Sequence, residues 1–411
     1  MAETPRILVA PKDFPTLASG YGIIGKHLLP RLAARYGKEN IILFAPVFNQ
    51  AGMVKQWEGI KTLSGLKGDY GEDRMWEHYR REKCTMLLTI GDVFQFRVLP
   101  KAAQENPDFS WVAWAPMDYL YIPPAIMSVT HYAMYIVPFS LDSERRFIQA
   151  EANNTLPHIP LAVDPSIWRP RAPAEYAEAA KLAGFQDGAL NLLIVQANQQ
   201  RKYVRQQLEA IRLFRQLHPE VRVRLYYHTH IEGDRNALDD VEDTMLQDVT
   251  RMVDPYVLEQ GGMPEEELAL FFNAASIVLA CAQEGWGLSI TQAQASGRSA
   301  IVLVDGAGPE QLSFGVVVSP SAIDYYQRAT KAVAQPVEIC TAIEQIWREG
   351  VYFNQAAADQ THQRYNWDRV AEMWFRVVDK VHEDRERLSL YIPEPSGVLK
   401  QRAQNLKLLK P

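Results

Sequence analysis

The segment from Ala274 to Asp305, AASIVLACAQEGWGLSITQAQASGRSAIVLVD, gathers the residue types that handle a phosphorylated ligand. Glu284-Gly285-Trp286-Gly287 interrupts an apolar run, Ile277 to Ala282, and precedes a helix-like stretch from about Leu288 to Ser296. Gly297 is placed to end that helix, and a second apolar run, Ala300 to Val304, completes a βαβ unit. Glycine lets the backbone come close to a ligand. The helix start aims unpaired N–H groups at it, an arrangement suited to a phosphate or diphosphate. Glu284 at the lip of this turn is a carboxylate that accepts hydrogen bonds from hydroxyls. A diphosphate beside hydroxyls is the chemistry of a nucleotide sugar.

Other positions repeat or extend this chemistry. Ser19-Gly20-Tyr21-Gly22 follows the first strand-like run and precedes a helix carrying Lys26, Leu28, Leu29 and Leu32, a second phosphate cradle. Asn198-Gln199-Gln200-Arg201-Lys202 follows another strand, and its two cations can neutralise a departing diphosphate. Asp118, after Trp114-Ala115-Pro116-Met117, lies at the carboxyl end of a strand, where α/β sheets bind ligands. His228-Thr229-His230 has strand spacing for two metal ligands, but no third ligand stands out, and no metal is expected. Glu310 lies in a loop after the last donor-side strand, and His27 in the first helix is expected on the surface.

The Glu284 segment resembles the donor motif of the retaining family-4 glycosyltransferases, which have the GT-B fold. Their pattern is Glu-Gly-aromatic-Gly-Leu, then a second Glu eight residues after the first. Glu284, Gly285, Trp286, Gly287 and Leu288 fit it, but position 292 is Gln. The resemblance implies that Glu284 faces the donor sugar. Gln292 then stands at the ribose diol without the charge-assisted bond a carboxylate makes. The family also carries an Arg followed five residues later by a Lys. Lys202 fits the Lys, Ala197 replaces the Arg, and Arg201 is positioned to compensate. By the same resemblance Gly20 borders the donor diphosphate, Asp118 contacts the sugar or acceptor, and the backbone near Gly262 and Met263 binds the base. Ile159 to Pro170 resembles the interdomain segment, with Ala162 where Gly is usual.

The implied activity is hexosyl transfer with retention, from a nucleotide-sugar donor, with Glu284, Asp118 and Lys202 as catalytic residues. No cofactor beyond the donor is implied. The acceptor stays open between a glycan, a lipid-linked and a small-molecule hydroxyl. A hydroxymethylated base in DNA is an alternative acceptor. Ala197 and Gln292 favour another alternative, a degenerate subunit that binds without turnover. An epimerase or phosphorylase of the same fold is a third.

These residues need a frame to hold them. At 411 residues the chain is long enough for two cores. Strand-like and helix-like runs alternate, which predicts an α/β protein with parallel sheets. Strands are expected at Arg6–Ala10, Ile41–Phe44, Met86–Ile90, Trp111–Trp114 and Ala133–Pro138. In the second half they fall at Leu192–Ala197, Arg222–Tyr227, Ile277–Ala282 and Ala300–Val304. The expected division is an acceptor-side Rossmann-like domain at 1–168, a nucleotide-sugar domain at 169–365, and a crossing helix with a tail at 366–411. Val370, Met373, Trp374, Val377 and Val378 have helical spacing, and Asp368 or Asn366 is placed to cap that helix. The tail carries Lys400, Arg402, Lys407 and Lys410 without an acid.

Composition narrows the partners. A net charge of −6 gives no general attraction to nucleic acid or anionic lipid. No run of about 18 apolar residues is present, so no stable membrane insertion is expected. Met-Ala-Glu-Thr-Pro leads directly into a strand, so no signal peptide is expected. Cys84, Cys281 and Cys340 suit a reducing cytoplasm.

Overall fold

The computed structural model describes residues 4–45, 56–65, 71–106, 108–326 and 329–391. The basic residues Lys400, Arg402, Lys407 and Lys410 lie outside these. In the first half, seven strands form one sheet: β1 (Ile7–Pro11), β2 (Ile41–Ala45), β3 (Gln56–Trp57), β4 (Ile60–Ser64), β5 (Met86–Ile90), β6 (Trp111–Ala115) and β7 (Tyr135–Pro138). Their order is β3-β4-β2-β1-β5-β6-β7, and every pairing except β3 with β4 is parallel. In the second half, β8 (Leu190–Val195), β9 (Val223–His228), β10 (Thr250–Met252), β11 (Ile277–Ala280), β12 (Ser299–Leu303) and β13 (Gly315–Val318) form a parallel sheet. Its order is β10-β9-β8-β11-β12-β13. An antiparallel hairpin follows, β14 (Ala322–Tyr326) with β15 (Ala329–Val333).

The apolar runs expected to be strands are strands, with ends shifted by a residue or two. They are buried on both faces, as parallel strands covered by helices must be. The strands not foreseen are short edge strands (β3, β10, β13), β4 beside one of those edges, and the two-stranded hairpin. In each sheet the winding direction reverses at one point. That point falls between β1 and β5 in the first and between β8 and β11 in the second. Ligands of open α/β sheets bind outside the carboxyl ends of the strands at such a reversal.

The helix Trp367–Tyr391 returns to the first half. Trp367, Val370, Trp374, Val377, Val378 and Val381 share a core with Ile7, Val9, Leu28 and Trp114. The rings of Trp374 and Trp114 meet edge to face at 5.0 Å. Asn366, not Asp368, supplies the cap, accepting from the Arg369 N–H at 2.9 Å. Asp368 instead pairs with Arg31 at 2.7 Å. The outgoing linker lies beside this return, with Val163 N–H donating to Tyr365 O at 3.2 Å.

Candidate functional site

The two sheets turn their carboxyl edges toward each other. On the first side, β1 runs into a tight loop and the helix Gly20–Tyr36. Ser19 caps that helix by accepting from Gly22 N–H at 3.1 Å, while its own hydroxyl donates to Asp13 at 2.6 Å. Gly22 cannot carry a side chain, because a Cβ there would lie 2.2 Å from Leu17 O. The Tyr21 hydroxyl donates to Asp92, just past the end of β5, at 3.3 Å. Asp118 lies just past the end of β6.

On the second side, a 3-10 turn, Gln200–Lys202, follows β8, and the Glu284 loop follows β11. Gly287 has φ +88°, a left-handed conformation that opens the helix Leu288–Ala295. Gly297, at φ +70°, follows its end. Gly285 is forced by proximity to the first half: a Cβ there would lie 2.6 Å from Pro116 Cβ and 2.9 Å from Met117 N. A Cβ on Gly20 would lie 3.6 Å from Leu288 Cδ1. The two glycine-led helix starts therefore confront each other across the junction of the halves.

Charged side chains fill the space between them. Lys202 Nζ forms an ion pair with Glu284 Oε1. Arg201 reaches Asp118 Oδ2 at 3.0 Å, and Lys331, from β15, reaches the same oxygen at 2.9 Å. Burial opposes ionisation of Asp118, but Lys331 and Arg201 outweigh it and hold the carboxyl below its ordinary range. Burial and the neighbouring Arg201 push Lys202 down to about 8, against the pull of Glu284. Burial and then Asp118 raise the Asp92 carboxyl. Three cations thus converge at this junction, two of them held by Asp118 and one by Glu284.

Gly20, Asp118, Arg201, Lys202, Glu284, Gly285, Gly287 and Leu288 come together at this junction. Gln292 is 4 % exposed, within the helix Leu288–Ala295. Trp286 does not line the cleft. It is buried in the first-half core, edge to face with Tyr365 at 5.1 Å, and its indole N–H donates to Thr291 at 3.0 Å. The Met263 side chain is also buried; the contact expected there was with its backbone. Gly261 O, nearby, accepts from Ala18 N–H at 2.9 Å.

His27 is not on the surface. It is 6 % exposed, stacked on Trp367 at 5.2 Å, and hydrogen-bonded to Glu265 at 3.1 Å. Glu265 also accepts from Lys26 and Trp168. Burial opposes its charge, yet these donors bring its carboxyl down to about 2. Glu310 ties the halves elsewhere, accepting from Leu141 N–H at 2.8 Å, and burial pushes its carboxyl up to about 7. Burial, with help from His230, lowers His228 to about 4. Among the described residues no group of three His, Cys, Asp or Glu is arranged to hold a metal.

Asp92 and Lys331 are the site residues that sequence reasoning missed. Asp92 was findable, since Gly91-Asp92 directly follows an expected strand. Lys331 had no signal, because the hairpin that carries it has no apolar run.

No protein-family model matches the chain, and no curated protein sequence does. Solved structures do. Sucrose-phosphate synthase from Thermosynechococcus elongatus superposes with a TM-score of 0.74 at 14% identity, covering 93% of this chain and 100% of that one. Anabaena HepE in complex with UDP-glucose gives 0.68 at 13% identity, covering 91% and 99%. The catalytic domain of starch synthase IV from Arabidopsis thaliana, bound to ADP and acarbose, gives 0.63 at 9% identity, covering 93% and 100%. With the facing parallel sheets and the returning helix, these likenesses establish the GT-B fold. Among the described residues, no helix is long and apolar enough to cross a membrane.

Proposed function

We propose that the chain is a glycosyltransferase that moves a hexosyl group from a nucleotide sugar to a hydroxyl acceptor, with retention of configuration. The observation that carries this is the cluster of Arg201, Lys202 and Glu284 between the helix starts at Gly20 and Leu288. A donor diphosphate entering there takes Lys202 from Glu284 and leaves that carboxylate facing the sugar hydroxyls. As the bond from the anomeric carbon to the diphosphate breaks, negative charge gathers on the diphosphate. Lys202, Arg201 and the N–H groups at the Leu288 helix start stabilise it without a metal. The acceptor oxygen bonds to the anomeric carbon on the face the diphosphate leaves, and a diphosphate oxygen takes its proton. Asp118 and Asp92 are placed to accept hydrogen bonds from the sugar or the acceptor. The buried Gln292 amide supports a contact to the ribose, donating where a carboxylate would only accept. The likeness to a sucrose-phosphate synthase and to HepE, which binds UDP-glucose, supports glycosyl transfer in general.

A specific observation favours a second reading, binding without turnover: Gln292 replaces a carboxylate and Ala197 an arginine. The test is release of nucleoside diphosphate from UDP-glucose, ADP-glucose and GDP-mannose, read by chromatography. Glycosyl transfer predicts release from at least one donor. Binding of UDP without release from any donor would favour the second reading.

A further inference from the structure

The β14–β15 hairpin touches every loop that carries a proposed catalytic residue. Lys331 is fully buried, and its Nζ lies 2.9 Å from Asp118 Oδ2 and 2.6 Å from Asp118 O. The same ammonium sits 4.7 Å from the centre of the Tyr119 ring. On either side of Lys331 the backbone makes two further ties. Thr330 O accepts from Leu120 N–H at 2.8 Å, and Ala332 N–H donates to the Gln283 side chain at 3.0 Å. From the other strand, Asp324 accepts from the Tyr203 hydroxyl at 3.0 Å.

Each tie lies next to the chemistry. Gln283 precedes Glu284, and Tyr203 follows Lys202. Tyr203 has φ +48°, a left-handed backbone that a residue with a side chain keeps only when its surroundings hold it. A buried ammonium is costly unless paired, and Lys331 meets that cost at the one carboxylate Arg201 also grips. A hairpin that served only to cover the sheet would not need a lysine there.

We propose that Lys331 is a positioning residue, and that its hairpin holds Asp118, Lys202 and Glu284 in register across the junction of the two halves. The inference rests on the glycosyl-transfer reading for its kinetic consequence, but the positional consequence is measurable without any donor. Lys331→Met removes the grip on Asp118, Lys331→Arg keeps a cation, and Asp324→Ala removes the tie to Tyr203 at a more exposed position.

Hydrogen exchange of the full chain without ligand is expected to quicken at least tenfold over 116–122 in Lys331→Met. Over 201–204 the same is expected in Asp324→Ala, with Leu190–Val195 unchanged in both. With UDP-glucose as probe, kcat for UDP release is expected to fall at least tenfold in Lys331→Met at nearly constant KM, with partial recovery in Lys331→Arg. Unchanged local exchange in both variants, or a rise in KM at constant kcat, would overturn the proposal. If Lys331→Met does not fold, Asp324→Ala alone decides by the same exchange criterion. Quickened local exchange in the variants, when the wild-type chain neither binds UDP nor releases it, would support the clamp and count against the donor reading alone.

Discussion

At the scale of single residues, the junction is an electrostatic arrangement in which carboxylates hold the cations that the proposed function assigns to a diphosphate. Lys202 is the clearest case. In the proposed reading its ammonium is the form that binds a diphosphate, and burial with Arg201 brings its deprotonation to about pH 8. As pH rises through that value the charge is lost, so affinity for UDP should fall. Binding at pH 8–9 should then take up a proton, visible as a dependence of calorimetric heat on buffer ionisation enthalpy. Lys202→Ala should flatten that pH profile and cost about 1.5–3 kcal/mol of UDP binding at neutral pH. A profile with the same slope in the variant would assign the proton elsewhere. Glu284→Gln should slow turnover by about 100-fold with little change in melting temperature, since a misaimed sugar loses orientation rather than core packing. Gln292→Glu should tighten UDP binding if the side chain meets the ribose diol through acceptors alone, and weaken it if the amide must donate. No change would remove residue 292 from the nucleotide.

Residue identities gave most of this away, and the exceptions are instructive. That Glu284, Lys202 and Arg201 gather at one junction was legible because glycines and strand ends mark the carboxyl edges of α/β sheets. Trp286 was not. Its place beside the glycines suggested ligand contact, but a large apolar ring at the junction is more stable buried against Tyr365. His27 misled in the opposite direction. A polar residue on an amphipathic helix reads as exposed, and nothing local announces that Glu265 lies opposite it.

At the scale of elements, the chemistry depends on how closely loops approach. Gly285 is one tight point, where the Glu284 loop meets Pro116 and Met117. Gly285→Ala should force the loops apart, costing about 1–3 kcal/mol of stability and lowering turnover, because its methyl group has nowhere to go. A variant with wild-type melting temperature and turnover would mean that the loops move freely. The strand–loop–helix units were legible because buried parallel strands are continuous apolar runs. The hairpin was not, because Ser321-Ala322-Ile323-Asp324-Tyr325 mixes polar and apolar residues. Its two strands pair with each other, but the loops it touches, at Asp118, Tyr203 and Gln283, lie far off in sequence, and such contacts leave no local pattern.

At the scale of the whole molecule, two halves with separate cores are joined by a linker, a returning helix and a few buried polar contacts. Glu265 is one of these, taking hydrogen bonds from His27, Lys26 and Trp168. Its folded carboxyl titrates near 2, below its ordinary value, so its contribution is present above the ordinary carboxylate range and fades as pH falls toward 2. Removing one partner of a buried pair typically costs about 3–5 kcal/mol. Glu265→Gln should therefore lower the melting temperature at pH 7 and make the remaining stability less sensitive to acid between about pH 5 and 2. An unchanged acid profile would show that this contact does not hold the halves together.

The fold leads to one claim above the others: the junction of the halves binds a nucleoside diphosphate between the two glycine-led helix starts. A crystal structure of the full chain with UDP tests it most directly. The expected result is a diphosphate within hydrogen-bonding distance of Lys202 and Arg201, beside Gly20 and the N-terminus of the Leu288 helix, with the Lys202–Glu284 pair opened. UDP bound elsewhere, or absent from the junction at saturating concentration with that pair intact, would contradict it.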